Sequence, residues 1–174
     1  MVDYMSLEEQ VDKDFERARR RAFISRVVAR LRRDPRGGGM VAFDEVRRSA
    51  RADNRLHRGL RMVEVSKVVG SVGRHKEFDG SFMPTKASAY KWKRVDRAFR
   101  RGVDLPPVSL YKIGDSYFVH DGNHRVSVAR YHGVEWIDAE VTEFRPWLVD
   151  AMEEPSPSAE PLPEPSIIPP VAPT

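Results

Sequence analysis

The sequence predicts a small α+β domain, a mixed sheet with packed helices, preceded by an N-terminal helical arm. Three observations lead there. A helix-period apolar pattern fills the first thirty or so residues, a β-hairpin signal covers residues 108–120, and that hairpin passes through Asp121-Gly122 straight into another helical pattern. With 174 residues there is room for one core and its extensions, not for two large ones.

Taken in order, Ser6-Leu7-Glu8-Glu9 fits a capping box, and apolar residues recur at Leu7, Val11, Phe15, Ala18 and Ala22. The helix runs until Asp34-Pro35 and Gly37-Gly38-Gly39 stop it. Its second half carries Phe23, Ile24, Val27, Val28 and Leu31, and is expected to pack inward or against a partner. A shorter helix follows from Asp44 to Ala50, with Phe43 and Val46 on its buried side. The break from Asp34 to Ala42 is too long for the tight turn of a helix-turn-helix, which leaves a helical arm.

Met62 to Val69 reads as a strand and its exit, and Gly70 to Met83 as a long loop of the kind that often carries function. Thr85 to Arg101 reads as a helix with Trp92, Val95 and Phe99 on one face, ended by Gly102. After Pro106-Pro107 come strands Val108–Ile113 and Ser116–His120, joined by Gly114-Asp115, then a helix from Asn123 to His132 ended by Gly133. In the last strand, Trp136 to Val141, Ile137, Ala139 and Val141 face inward and Asp138 and Glu140 outward. Trp92, Phe99 and Trp136 fall at core-compatible spacings. From Glu153 onward eight of twenty-two residues are proline, so the tail is expected to be disordered. The expected organisation is an Arg-rich helical arm over 1–60, a folded domain over 61–150 and an acidic Pro-rich tail over 151–174.

Charge is unevenly spread. Between Glu16 and Arg61 fifteen arginines face five acids, and from Asp138 to Thr174 eight acids face one arginine. A basic surface of this kind suits nucleic acid, with Arg19, Arg20, Arg26, Arg30 and Arg33 as its expected contacts, and the acidic tail is suited to shield it. The chain has no cysteine, which excludes disulfides, thiolate metal sites and a cysteine nucleophile. No apolar stretch approaches the ~20 residues that span a bilayer, and a cytoplasmic location is expected.

The junction Val119-His120-Asp121-Gly122-Asn123-His124-Arg125 predicts an anion cradle. A helix start leaves backbone N–H groups unpartnered at the positive end of the macrodipole, Gly122 permits close backbone approach, and His124 and Arg125 add donors. Arg125 either contacts phosphate or forms a surface salt bridge. His124 is a phosphate donor, a proton carrier or a solvated turn residue, and His120 is structural. Asp121 either holds magnesium through phosphates or caps the helix.

The tetrad Gly122-Asn123-His124-Arg125 resembles the second signature box of the ParB/sulfiredoxin superfamily, read as Gly-Glu-Arg-Arg in partition proteins and Gly-Cys-His-Arg in sulfiredoxins. Met62 to Arg74 resembles the first ParB box, and the resemblance spans residues 61 to 143. It implies a nucleoside phosphate (ATP, ADP or CTP), with or without magnesium, bound by Arg74, Asp121, Gly122, Asn123, His124 and Arg125. The loop bearing Arg74 and Lys76 would face the box, making Glu77, Asp79 and His124 the candidates for catalysis. Asn123 stands where the relatives carry Glu or Cys. An amide cannot act as a general base, so ParB-type hydrolysis is not expected, and without cysteine neither is sulfinic-acid reduction. Free-serine kinases of the same superfamily, some with an Asp-Gly-x-His-Arg box, imply small-molecule phosphorylation as an alternative. A protein-binding module with a non-catalytic box is another. Expected partners are a nucleotide and DNA, with a second copy of the chain as a further candidate.

Overall fold

In the computed structural model, residues 5–31, 40–73 and 77–146 are described; for Arg30 this covers the backbone alone. The elements are α1 (Leu7–Leu31), β1 (Val41–Ala42), α2 (Phe43–Ala50), β2 (Asn54–Glu64), β3 (Val68–Ser71), α3 (Ala89–Arg100), β4 (Val108–Ile113), β5 (Ser116–Asp121), α4 (Asn123–His132) and β6 (Trp136–Arg145). The strands form one six-stranded mixed sheet in the order β1-β3-β5-β4-β6-β2. Pairing is parallel for β1–β3, β3–β5 and β4–β6, and antiparallel for β4–β5 and β2–β6. The architecture is of the mixed α+β class that the sequence predicts.

Strand alternation splits the core in two. Val63, Val108, Leu110, Val119, Ala139 and Val141 meet α1, α3 and α4 on one face, around the fully buried Trp92. On the other face Phe118 and Phe144 meet Phe43 at the start of α2. The capping box forms as read: Ser6 N–H donates to Glu9 Oε2 at 2.9 Å and Glu9 N–H to Ser6 Oγ at 3.3 Å. The hairpin and α4 also fall where the sequence places them, with Gly133 at φ 72° closing α4.

Several expectations are corrected. The first half of α1 is core, since Val11, Phe15, Ala18 and Ala22 are buried and Phe15 packs on Trp92 at 5.7 Å between ring centroids. The boundary expected at residue 60 falls inside β2, and residues on both sides of it build one sheet. The apolar residues of the second half of α1 do not pack inward. Phe23, Ile24, Val27, Val28 and Leu31 are all exposed, Leu31 to 79%. The expected strand from Met62 begins eight residues earlier and ends at Glu64, where a 3₁₀ turn (Val65–Lys67) leads into β3. β6 continues past Val141 to Arg145, because Glu143 is held there by Arg58 and Lys112 at 2.6 and 2.9 Å. Trp136 and Phe99 are 47% and 37% exposed rather than core residues. The stop expected at residues 34–39, the residues 74–76 and the Pro-rich tail lie outside the described residues.

A polar knot fixes the helices that carry the site. Arg100 of α3 donates through Nε to Asp14 of α1 at 2.8 Å, and Tyr131 of α4 donates to the same carboxylate at 2.8 Å. His132 and the fully buried Asp96 lie 2.6 Å apart, joining α4 to α3. Buried pairs of this kind set one helix register rather than adding much net stability.

Candidate functional site

β5 ends at Asp121, and Gly122 turns the chain into α4 at φ 95°, ψ 23°. Only glycine fits this corner. A Cβ there would lie 2.7 Å from Val108 Cγ1 and 3.0 Å from Arg125 Nε, on a backbone that L side chains rarely adopt. The first intrahelical bond runs from Val126 N–H to Gly122 O at 3.0 Å. The N–H groups of residues 123–125 therefore precede the hydrogen-bonded ladder and point their partial positive charge outward.

A cleft of about 250 Å³ opens at this helix start, lined by residues 121–125 and by Lys91, Arg94 and Val95 of α3. Lys91 and Arg94 are exposed and bring two cations that the sequence did not associate with the box. Their spacing of three does place them on one helix face, but only the packing of α3 on α4 turns that face to the cleft.

Arg125 is already engaged. Its guanidinium donates to the carbonyls of Pro106 and Pro107 and to Asp121 Oδ2, the last at 2.8 Å, so it holds the strand entry to the helix start. Asp121 is 72% exposed at its side chain and pairs with Arg125; it does not cap α4, whose N-cap is Gly122. Asn123 is 4% exposed, and its Oδ1 is buried without a hydrogen-bond partner among the described residues. His124 sits edge-on to Phe78, with Nε2 4.0 Å from Glu77 Oε2. Glu77 thus reaches the box, as the loop reading requires, whereas Arg74 lies outside the described residues.

Asp79 does different work. It is buried, and its Oδ1 accepts from Ser81 N–H at 3.0 Å and Met83 N–H at 2.8 Å, closing the turn that seats Phe82 in the core. This is an Asx-type turn residue. Burial pushes its carboxyl above the ordinary range, opposed by those two N–H groups and by the charges of Arg26 and Arg130. Because folding raises the pKa, the stabilising contribution is complete below the unfolded carboxyl's titration and is lost as pH rises through the folded one. Asp79→Asn keeps the acceptor and removes the buried charge. It is expected to raise the melting temperature near pH 7, with the gap to the parent closing as pH falls to about 4. A lower melting temperature at pH 7 would mean that the Arg26 and Arg130 charges outweigh burial.

Of the nucleic-acid candidates, Arg19, Arg20 and Arg26 line a groove of about 780 Å³ between α1 and residues 84–86, together with Lys13, Phe23 and Lys86 and the acids Asp12 and Glu16, the latter paired with Arg19 at 3.1 Å. The side chain of Arg30 and all of Arg33 lie outside the described residues. No helix among the described residues is long and apolar enough to cross a membrane.

Fold and site together define a mixed α+β domain with a cationic cleft at a strand-to-helix junction. No family model matches the chain, and no curated protein matches it. A solved structure that it is similar to is the crystal structure of sulfiredoxin from Arabidopsis thaliana. The two are 14% identical with a TM-score of 0.39, over 53% of this chain and 93% of that one.

Proposed function

We propose that this protein binds a nucleoside phosphate at the start of α4. The observation that supports this best is the convergence of Lys91, Arg94 and Arg125 on the start of α4, the positive end of the helix dipole, where the backbone precedes the first intrahelical bond from Val126 N–H to Gly122 O. Four sources of positive potential around one small cleft suit a di- or triphosphate far better than a neutral ligand. The buried Asn123 Oδ1 would accept from a sugar hydroxyl or a bound water. Asp121, with most of its carboxylate exposed, would hold a magnesium ion carried by the phosphates.

At about 250 Å³ the cleft accommodates phosphates and sugar rather than a whole nucleotide. Arg125 also lines an adjoining groove of about 260 Å³ walled by Phe99, Leu105, Trp136 and Ile137. A base lying there would account for two aromatic rings left in solvent. A panel of ATP, ADP, CTP and pyrophosphate, read by thermal shift with magnesium, tests the reading. A ligand at a hundred times its dissociation constant adds about 2.7 kcal/mol of stability. If none of the four raises the melting temperature, the reading fails.

A second reading, phosphoryl transfer to a small hydroxyl compound, is favoured by Glu77 standing 4.0 Å from His124, a residue of the cleft lining. ATP consumption that depends on an added hydroxyl compound and is lost in Glu77→Gln would establish it. The cationic groove along α1 supports association with DNA, which would weaken steeply with salt.

A further inference from the structure

The second half of α1 presents a solvent-exposed face that carries both cations and large apolar groups. Arg19, Phe23 and Arg26 share one stripe, with Arg20, Val27 and Leu31 beside it; Arg19 is paired with Glu16 at 3.1 Å, and Phe23 is 63% exposed and Leu31 79%. Apolar groups of this size on one helix face mark an interaction surface. A second copy of the chain would set these arginines against one another. A nucleic acid would supply phosphates but nothing apolar for Val27, Val28 and Leu31.

The segment 147–174 of this same chain has the complementary chemistry. It carries Asp150, Glu153, Glu154, Glu160 and Glu164 with no Lys, Arg or His, and its apolar residues follow the acids in the order Glu160, Leu162, Glu164, Ile167-Ile168. Pro161, Pro163 and Pro165 favour an extended polyproline spacing of about 3.1 Å per residue, which sets Glu160 and Glu164 about 12 Å apart. Arg19 and Arg26, seven residues apart on a helix rising about 1.5 Å per residue, are about 10 Å apart. Leu162, about 6 Å beyond Glu160, then falls opposite Phe23, about 6 Å beyond Arg19, and Ile167, about 22 Å along, falls just past Leu31 at about 18 Å. From Pro146 to Glu160 the chain spans up to about 46 Å, more than the roughly 37 Å width of a compact domain of this size.

We propose that residues 160–168 dock in cis along the groove between α1 and residues 84–86, covering the basic face of α1. The interaction is a self-contact that any anionic polymer seeking the same arginines must displace.

Because the chain has no cysteine, Ser166→Cys in the full-length protein gives one attachment point for a nitroxide spin label. The amide signals of residues 19–31, Thr85 and Lys86 are expected to lose most of their intensity when the label is paramagnetic. Glu160→Lys/Glu164→Lys should restore them, and adding Arg19→Glu/Arg26→Glu to that variant should bring the broadening back. The proposal is overturned if these amides are unaffected by the label, or if the charge reversal leaves the broadening unchanged. It is also overturned if broadening appears equally in isotope-labelled chains mixed with separately spin-labelled ones, since the contact is then between copies. Amides on α1 that ignore the label and shift only when a short DNA duplex is added would give the face to nucleic acid instead.

Discussion

Gly122→Ala is expected to destabilise the domain by about 2–5 kcal/mol. Holding an L residue in a left-handed conformation costs roughly 1–2 kcal/mol, and forcing a methyl group against packed neighbours adds about 1–3 kcal/mol. The neighbours are Val108 Cγ1 at 2.7 Å and Arg125 Nε at 3.0 Å from the new Cβ. Val108 is fully buried and has nowhere to go. Arg125 can move, but doing so breaks its contacts with Pro106, Pro107 and Asp121 and loosens the helix start from the strand entry. Thermal unfolding of parent and variant checks this, and an unchanged melting temperature would show that the corner adapts. Gly102→Ala is a useful control, because its φ is also positive but no atom lies within 4 Å of its Cβ position. The difference between the two isolates the steric part.

The second large effect concerns binding. Lys91→Ala/Arg94→Ala is expected to weaken nucleotide affinity at least about 100-fold, since each charge-assisted hydrogen bond contributes roughly 1.5–3 kcal/mol. Both side chains are exposed, so the melting temperature of the unliganded variant should match the parent within error. Isothermal titration with the tightest-binding nucleotide checks it. Arg125→Ala is a poorer probe. Its guanidinium is tied to two carbonyls and a carboxylate, and a loss of affinity there would mix binding with a loosened fold.

Which parts of this structure were legible in the sequence follows from how local their causes are. The capping box at Ser6 and Glu9, the Gly114-Asp115 hairpin and the Gly122 to Gly133 helix are each set by residues within a turn of one another, and all three were read correctly. β2 was read short because Asn54-Arg55-Leu56-His57-Arg58 shows no apolar alternation. It is an edge strand with largely exposed side chains, and its register shifts between His57 and Gly59. β1, two residues long, exists only because Val41 and Ala42 find Gly70 and Ser71 alongside. In α1, periodicity alone could not say which half meets the sheet. Small Ala18 and Ala22 allow close approach to α3, and the larger apolar residues of the second half lie beyond it.

The site divides the same way. The Gly122 corner and the helix start were legible because they are contiguous. The structure sets Asp79 in its own turn, bonded to the Ser81 and Met83 N–H groups, a placement the sequence does not reveal, since a carboxylate that closes its own turn and one that faces a cleft look alike there. Lys91 and Arg94 were missed because they lie some thirty residues from the box and reach it only through the packing of α3 on α4, which Asp96 and His132 hold in register.

The most direct test of the central claim is to follow the backbone amide signals of the full-length protein while titrating ATP, and separately pyrophosphate, in the presence of magnesium. The account predicts that the largest saturable shifts fall on Gly122, Asn123, His124 and Arg125, with smaller ones on Lys91 and Arg94. ATP, but not pyrophosphate, should also move Phe99 and Trp136. Shifts concentrated on Arg19 to Arg26 of α1, with residues 122–125 unmoved, would contradict it and place the anion site on the basic groove instead.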